Sequence, residues 1–351
     1  MNKSLLKARS RTLILKALGR RPGLTRQGLA DITKLSFPAV SKLAQELIDE
    51  NAIRENGKSE SSGGRRCDLL EINPDAGDIL ALSIGEDGLR LLWTDFCHKP
   101  KASMSYPRVL NELGGDELGG FARECVAAFL AANKIDFGSV KCAGVAVPGY
   151  LKADGSALFS SFGYVKRLDI NGLFPGPVPV FAENNCNLNA LREQVAGAAR
   201  DKTNVVCLSI GAGVGAGLIL DGRIYTGENG VSGEFGSARR LWPDLNGQPH
   251  TLEILAKLLA RYVYIVSLFI APECVCVCHA GDEAVKAVIL GELQERFAGE
   301  KLLAPVVFSD AGAEGTAAGA GIYARQRFLN EVEFSGDCEL WRALSRWKGK
   351  A

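Results

Sequence analysis

The chain has 351 residues, 47% of them apolar and 23% charged, which allows two or three folded domains and excludes a disordered or fibrous sequence. Its basic, charge-alternating start does not read as a secretory leader, and the apolar run at 262–271 is shorter than the ~20 residues a bilayer span needs. The net charge of +1 conceals an asymmetry: residues 1–66 hold 14 Lys and Arg against 6 Asp and Glu, close to +8, which leaves −7 on the rest. A basic module on a mildly acidic body is the footprint of phosphate binding.

Residues 10–18 read as a helix with Leu13, Ile14, Ala17 and Leu18 as its apolar stripe, ended by GRRPG at 19–23. Thr25 is placed to cap a helix over 26–35 with Leu29 and Ile32 facing inward. Ser36 is placed to cap a second over 37–51, where Pro38 falls in the first turn with no donor to lose. Val40, Leu43, Ala44, Leu47 and Ile48 share one face of it. Two short helices about a tight turn, the second amphipathic, describe a helix-turn-helix. Its outer face offers Pro38, Ser41, Lys42 and Gln45 to a major groove. A hairpin follows, 53–56 with 67–72, whose tip SESSGGRR at 59–66 puts Arg65 and Arg66 beside phosphates or a minor groove. Residues 1–72 therefore read as a winged helix-turn-helix DNA-binding domain, and 73–77 as a linker.

From residue 78 strands and helices alternate. Apolar strands at 79–84 and 89–95 flank a glycine turn, and a helix covers 118–133. A buried strand at 140–148 is followed by a strand at 178–182 and a helix at 186–198. Strands at 204–210 and 217–220 bracket the glycine-rich 211–217, and the pattern closes with a helix at 252–269, a strand at 274–278 and a helix at 283–297. This is an α/β body with its sites at strand ends, and no internal repeat shows at a fixed period. The ten cysteines lack paired spacing and read as reduced thiols, so a cytoplasmic protein is expected. Cys274, Cys276 and Cys278 share one strand face beside His279. The spacing alone would admit a metal, but small apolar packing is the expected role, so no metal and no cofactor is assigned.

Five short segments in this order resemble the ROK family (repressors, open reading frames, kinases): VAVPG at 145–149, ENNCN at 183–187, GAGVGAG at 211–217, GEFG at 233–236 and GTAA at 315–318. The resemblance spans about 10–327 and implies a two-lobed actin-like/ribonuclease-H-like body, with a first lobe at 78–182 completed by about 310–335 and a second at 183–309. The winged helix places the likeness with the family's sugar-responsive regulators rather than its sugar kinases.

The departures from that pattern point the same way. The family's kinases carry an aspartate where Asn185 stands, and a carboxamide cannot supply the roughly 10²–10⁴-fold assistance of a general base. Ser83 replaces an acidic residue, and Glu86 and Asp87 put carboxylates where a polyphosphate should sit. Ala212 replaces a hydroxyl residue. The family's zinc ligands, one His and three Cys, fall in register on Ser237, Asp244, Asn246 and Thr251, none of which suits structural zinc. What the resemblance leaves of a sugar pocket is Gly149, Asn184, Asn185, Glu234 and Glu253. The expectation is a kinase-dead regulator, a repressor, binding a double-stranded DNA operator as a homodimer or homotetramer and sensing a sugar or sugar-phosphate effector. The alternatives are an active ATP-dependent sugar kinase with an accessory DNA-binding domain, and a constitutive DNA-binding protein with a structural body.

Overall fold

Apolar residues at helical spacing bring three helices together at the front of the chain. The computed structural model describes residues 3–60, 66–85, 87–110, 113–151, 157–158, 167–210, 214–228, 230–235, 251–278, 283–299, 301 and 303–335. Helices α1 (Lys3–Arg20), α2 (Arg26–Thr33) and α3 (Phe37–Asp49) precede an antiparallel pair, β1 (Ile53–Lys58) and β2 (Asp68–Ile72). α1 begins well ahead of the expected residue 10. The Ser10 hydroxyl donates to the Leu6 carbonyl inside the helix (2.9 Å), and Lys7 pairs with Glu46 of α3 (2.9 Å). Thr25 does cap α2, its Oγ1 accepting from the Gly28 amide at 3.0 Å. α2 stops at Thr33 because Lys34 turns left-handed (φ 59°), and Ile32, expected inside, is 51% exposed. Over so short a helix, Leu29 and Ala30 supply the buried face. Ser36 holds the cap position of α3 without making a side-chain cap hydrogen bond.

The body contains β3 (Asp78–Gly85), β4 (Gly88–Asp95), β5 (Pro100–Pro107), α4 (Gly115–Ala132), β6 (Val140–Val147) and the short strands β7 (Tyr150–Leu151), β8 (Ala157–Leu158) and β9 (Arg167–Leu168). It continues with β10 (Val180–Asn184), α5 (Asn185–Ala196), β11 (Val205–Ile210), β12 (Val214–Leu220), β13 (Arg223–Ile224), α6 (Leu252–Phe269), β14 (Cys274–Cys278), α7 (Glu283–Phe297), β15 (Val306–Phe308) and α8 (Gly315–Ser335). Two five-stranded sheets result, in the orders β5-β4-β3-β6-β10 and β13-β12-β11-β14-β15. In each, an antiparallel meander is extended by two parallel strands, so the lobes share one topology although the sequence shows no repeat. β5 escapes sequence reading because it is a polar edge strand, mostly exposed and bounded by prolines that blunt the edge.

α8 returns to the first sheet and packs against α5 of the second. The approach requires glycine: a Cβ at Gly144 of β6 would lie 2.1 Å from the Ala320 carbonyl oxygen, and one at Gly319 would lie 2.2 Å from that of Leu188.

The expected linker is a packed joint. Pro74–Ala76 forms one 3-10 turn, and buried Asn73 donates from Nδ2 to the Asn51 carbonyl (3.0 Å) and to its Oδ1 (2.8 Å). Ile14, Leu15 and Leu18 of α1 belong to the same apolar core as Ile79, Phe181 and Phe328 of the body. Phe328 of α8 meets Phe96 edge to face at 6.2 Å, and buried Arg325 donates to the Phe96 carbonyl at 2.9 Å. Sequence punctuation by Asn, Pro and Gly marks a break in secondary structure, not a break in the core.

Candidate DNA interface and effector crevice

α3 buries Val40, Leu43, Ala44 and Leu47, which forces its opposite face outward. Pro38, Lys42 and Gln45 are exposed there and Ser41 is half-buried, with Gln45 Nε2 donating to Asp49 Oδ1 at 2.9 Å. Several cations of the front domain are neutralised internally: Lys7 by Glu46, Arg11 by Glu50, Arg26 by Glu55 and Arg54 by Glu71. Lys34, Lys42 and exposed Arg66 have no ion pair among the described residues. Exposed Arg20 and Arg21, at the end of α1, have none either, so the unpaired cations among the front domain's described residues lie at the end of α1, on the helix-turn-helix and on the wing. Arg65 lies outside the described residues. Sequence reasoning missed Phe37, 48% exposed at the start of α3, an apolar side chain of the kind that can meet a thymine methyl. The available signal was its position: a residue directly after the cap lies ahead of the buried stripe.

The second candidate site lies at the C-terminal ends of β3, β6 and β10, where α5 begins. Asn184 is first a structural residue. Its Oδ1 accepts from the amides of Cys186 (2.7 Å) and Asn187 (3.4 Å), capping α5, and its Nδ2 donates to the Gly149 carbonyl at 2.9 Å. Those helix amides are consequently already satisfied. Asn185 donates from Nδ2 to the Ile84 carbonyl (3.0 Å), which fixes the orientation of its amide. Its Oδ1 is then buried with no partner among the described residues, an acceptor lacking a donor. Glu234 follows Gly233, at which a Cβ would strike the Ala216 carbonyl of β12, so the chain there runs flush against the strand. The Glu234 charge acts on Cys186, whose thiol is pushed up to about 12, mainly by burial. Partial desolvation by the surrounding protein raises the Glu234 carboxyl above its ordinary value, although the residue is exposed.

Gly149, Asn184 and Asn185 thus lie at the start of α5, and the Glu234 charge is felt at Cys186 in its first turn. Glu253 is not joined to them by any described contact; it is exposed in the first turn of α6 and pairs with Lys257 at 2.9 Å. Asp87 does not stand as a bare carboxylate, since Arg90 pairs with it at 2.5 Å. Glu86, Ala212, Ser237, Asp244, Asn246 and His279 lie outside the described residues. Thr251, in register with a family zinc ligand, caps α6 by accepting from the Ile254 amide at 3.3 Å. Gly215 and Gly217 serve packing, each letting β12 lie against Cys186 at a distance no Cβ would permit. No helix among the described residues is long and apolar enough to cross a membrane.

A winged helix-turn-helix joined through a common core to a duplicated, two-lobed α/β body defines the architectural class. Residues 121–280 match the model of the ROK family. It is 28% identical over 255 residues to the xylose repressor of Bacillus spizizenii, covering 70% of this chain and 63% of that protein. It is 24% identical over 242 residues to the DNA-binding transcriptional dual regulator NagC of Escherichia coli, covering 67% and 58%. The chain thus spans somewhat under two thirds of the length of the curated relatives it matches. Among solved structures, a ROK family transcriptional regulator homologous to the E. coli MLC protein superposes with a TM-score of 0.71 at 20% identity, covering 97% of this chain and all of that one. A ROK family glucokinase from Streptomyces griseus, in complex with glucose and AMPPNP, superposes at 0.58 and 18% identity, covering 71% of this chain and all of that one. Both likenesses are of fold, and the first extends over the winged helix.

Proposed function

We propose that this chain is a DNA-binding transcriptional regulator, a repressor, whose body binds a sugar or sugar-derived effector without phosphorylating it. The observation that carries the reading is the α3 face: Pro38, Lys42 and Gln45 stand clear of the protein while the opposite side is sealed in the core. Relatives named as repressors support it. One such module buries too little surface for a specific site, so a homodimer or homotetramer reading a palindromic operator is the functional unit. In the crevice, the unpaired Oδ1 of Asn185 and the carboxylate of Glu234 are acceptors suited to neighbouring hydroxyl groups. Xylose and N-acetylglucosamine, from the names of the relatives, are the first ligands to screen, together with their phosphates. Because α1 shares its core with α8, a change of lobe angle reaches the winged helix as a movement of its seat.

The test is selection of genomic fragments by the purified full-length chain, followed by footprinting. A protected palindrome supports the reading, and no retained fragment contradicts it. The likeness to kinases favours a second reading, ATP-dependent sugar phosphorylation. Against it, Asn185 lacks the basicity to deprotonate a hydroxyl. Transfer of labelled phosphate from ATP to any screened sugar would decide for the kinase.

A further inference from the structure

β11 and β14 run parallel, with Cys207 opposite Cys276 and Ser209 opposite Cys278. Cys276 and Cys278 alternate onto one face of β14, and the neighbouring strand brings Cys207 to the same side. Sequence spacing gave no sign of this third thiol, which lies 69 positions before Cys276 in the chain. The three Sγ atoms all lie within 4.8 Å of one another, and every one of these residues is buried. The surrounding wall is largely apolar, with Ala190, Ala199, Val205 and Ile219 in the same cluster, and the Ser309 hydroxyl reaches Cys278. The nearest acid, Glu193, is already engaged: Oε1 by Arg192 (2.7 Å) and the Ser309 hydroxyl (2.7 Å), Oε2 by the Ala198 amide (2.9 Å).

We propose that Cys207, Cys276 and Cys278 form a binding site for a soft monovalent cation, Cu(I), held by three sulfurs. Thiolate sulfur selects Cu(I) and zinc among common metal ions, whereas calcium and magnesium take oxygen ligands. Structural zinc calls for a fourth thiolate or imidazole, and none joins the triad among the described residues. Metal–sulfur bonds of about 2.3 Å in a trigonal arrangement set the sulfurs about 4 Å apart, within the 4.8 Å that bounds the triad, and Cys207 and Cys278 part from 2.7 Å to reach it. Binding releases the ligand thiol protons to solvent. The site is remote in role from DNA and effector binding, and its test is independent of both.

The full-length, reduced chain is titrated anaerobically with the Cu(I)–bicinchoninate complex. The expected result is withdrawal of about one Cu(I) per chain, with X-ray absorption showing a sulfur-only shell. Cys207→Ala, Cys276→Ala and Cys278→Ala should each weaken binding by more than the roughly 10–100-fold that loss of an outer hydrogen-bond partner costs a metal site. The Ser variants serve wherever an Ala variant fails to fold. Cys274→Ala, on the same strand face but outside the triad, and Cys142→Ala, buried in the other lobe, should keep full affinity. No withdrawal of Cu(I) by the wild type, undiminished binding in folded triad variants, or preferential uptake of Zn(II) over Cu(I) overturns the proposal.

Discussion

Truncating Phe328 to alanine tests whether the winged helix and the body are one mechanical unit. Phe328 is 3% exposed on α8, meets Phe96 at 6.2 Å, and shares its core with Ile14, Leu15 and Leu18 of α1. Phe→Ala in a packed core costs about 3–5 kcal/mol, because the transferred ring and the cavity left behind both count. Typical native stabilities are about 5–15 kcal/mol, so the loss is a substantial share of the whole. It falls on the joint rather than on either domain alone. The assay is urea unfolding followed in parallel by tryptophan fluorescence of the body and by amide exchange in α3. The expected result is a coincident destabilisation in both probes, with operator affinity reduced although Phe328 is part of neither the α3 face nor the wing. A body that loses stability while α3 exchange and DNA affinity stay at wild-type values would refute the shared-core reasoning.

Three further outcomes are expected. Asn185→Ala removes the buried unpaired acceptor and should abolish the rise in melting temperature on adding the effector sugar; a retained shift would move the site elsewhere. Glu234→Ala should eliminate effector-induced release of DNA while leaving effector-free DNA affinity within error, as read by anisotropy. Both ring nitrogens of His98 are buried without partners, and burial, then the charge of Arg325, hold its pKa well below the ordinary value. The folded state thus excludes a proton that the unfolded chain takes up below about pH 6.5. Stability is full above that pH and falls as pH drops, by about 1.4 kcal/mol per unit until the folded pKa is reached. His98→Asn, tolerated at φ 68°, should flatten this slope in pH-dependent urea melts; an unchanged slope assigns it to other groups.

Much of the fold was legible because local signals and tertiary packing agree. The stripe of Val40, Leu43, Ala44 and Leu47 is the buried face of α3, and α6, β14 and α7 fall at 252–269, 274–278 and 283–297 as the periodicity sets them. β5 stayed hidden although Ala102, Met104 and Tyr106 alternate with Lys101, Ser103 and Ser105, because so short and mostly exposed an apolar set between two prolines is a weak signal. The matched topology of the two sheets, the seating of α1 on α8 and the approach of Cys207 to Cys276 are pairings between distant segments, for which one sequence holds no local trace. At the crevice, residue types were readable but not their allegiance. Asn184 is a helix cap before it is anything else, and only the geometry distinguishes it from Asn185, whose carboxamide oxygen is left over.

The central claim is that α3 and the wing hold this chain on duplex DNA, and the direct measurement is the affinity of the full-length protein for a selected fragment as a function of salt. Log affinity should fall linearly with log salt, and Lys42→Ala and Arg66→Ala should each reduce the steepness by about 0.9, the contribution of one phosphate contact. Affinity that is absent for every duplex tried, or that neither salt nor these substitutions alter, would contradict the account.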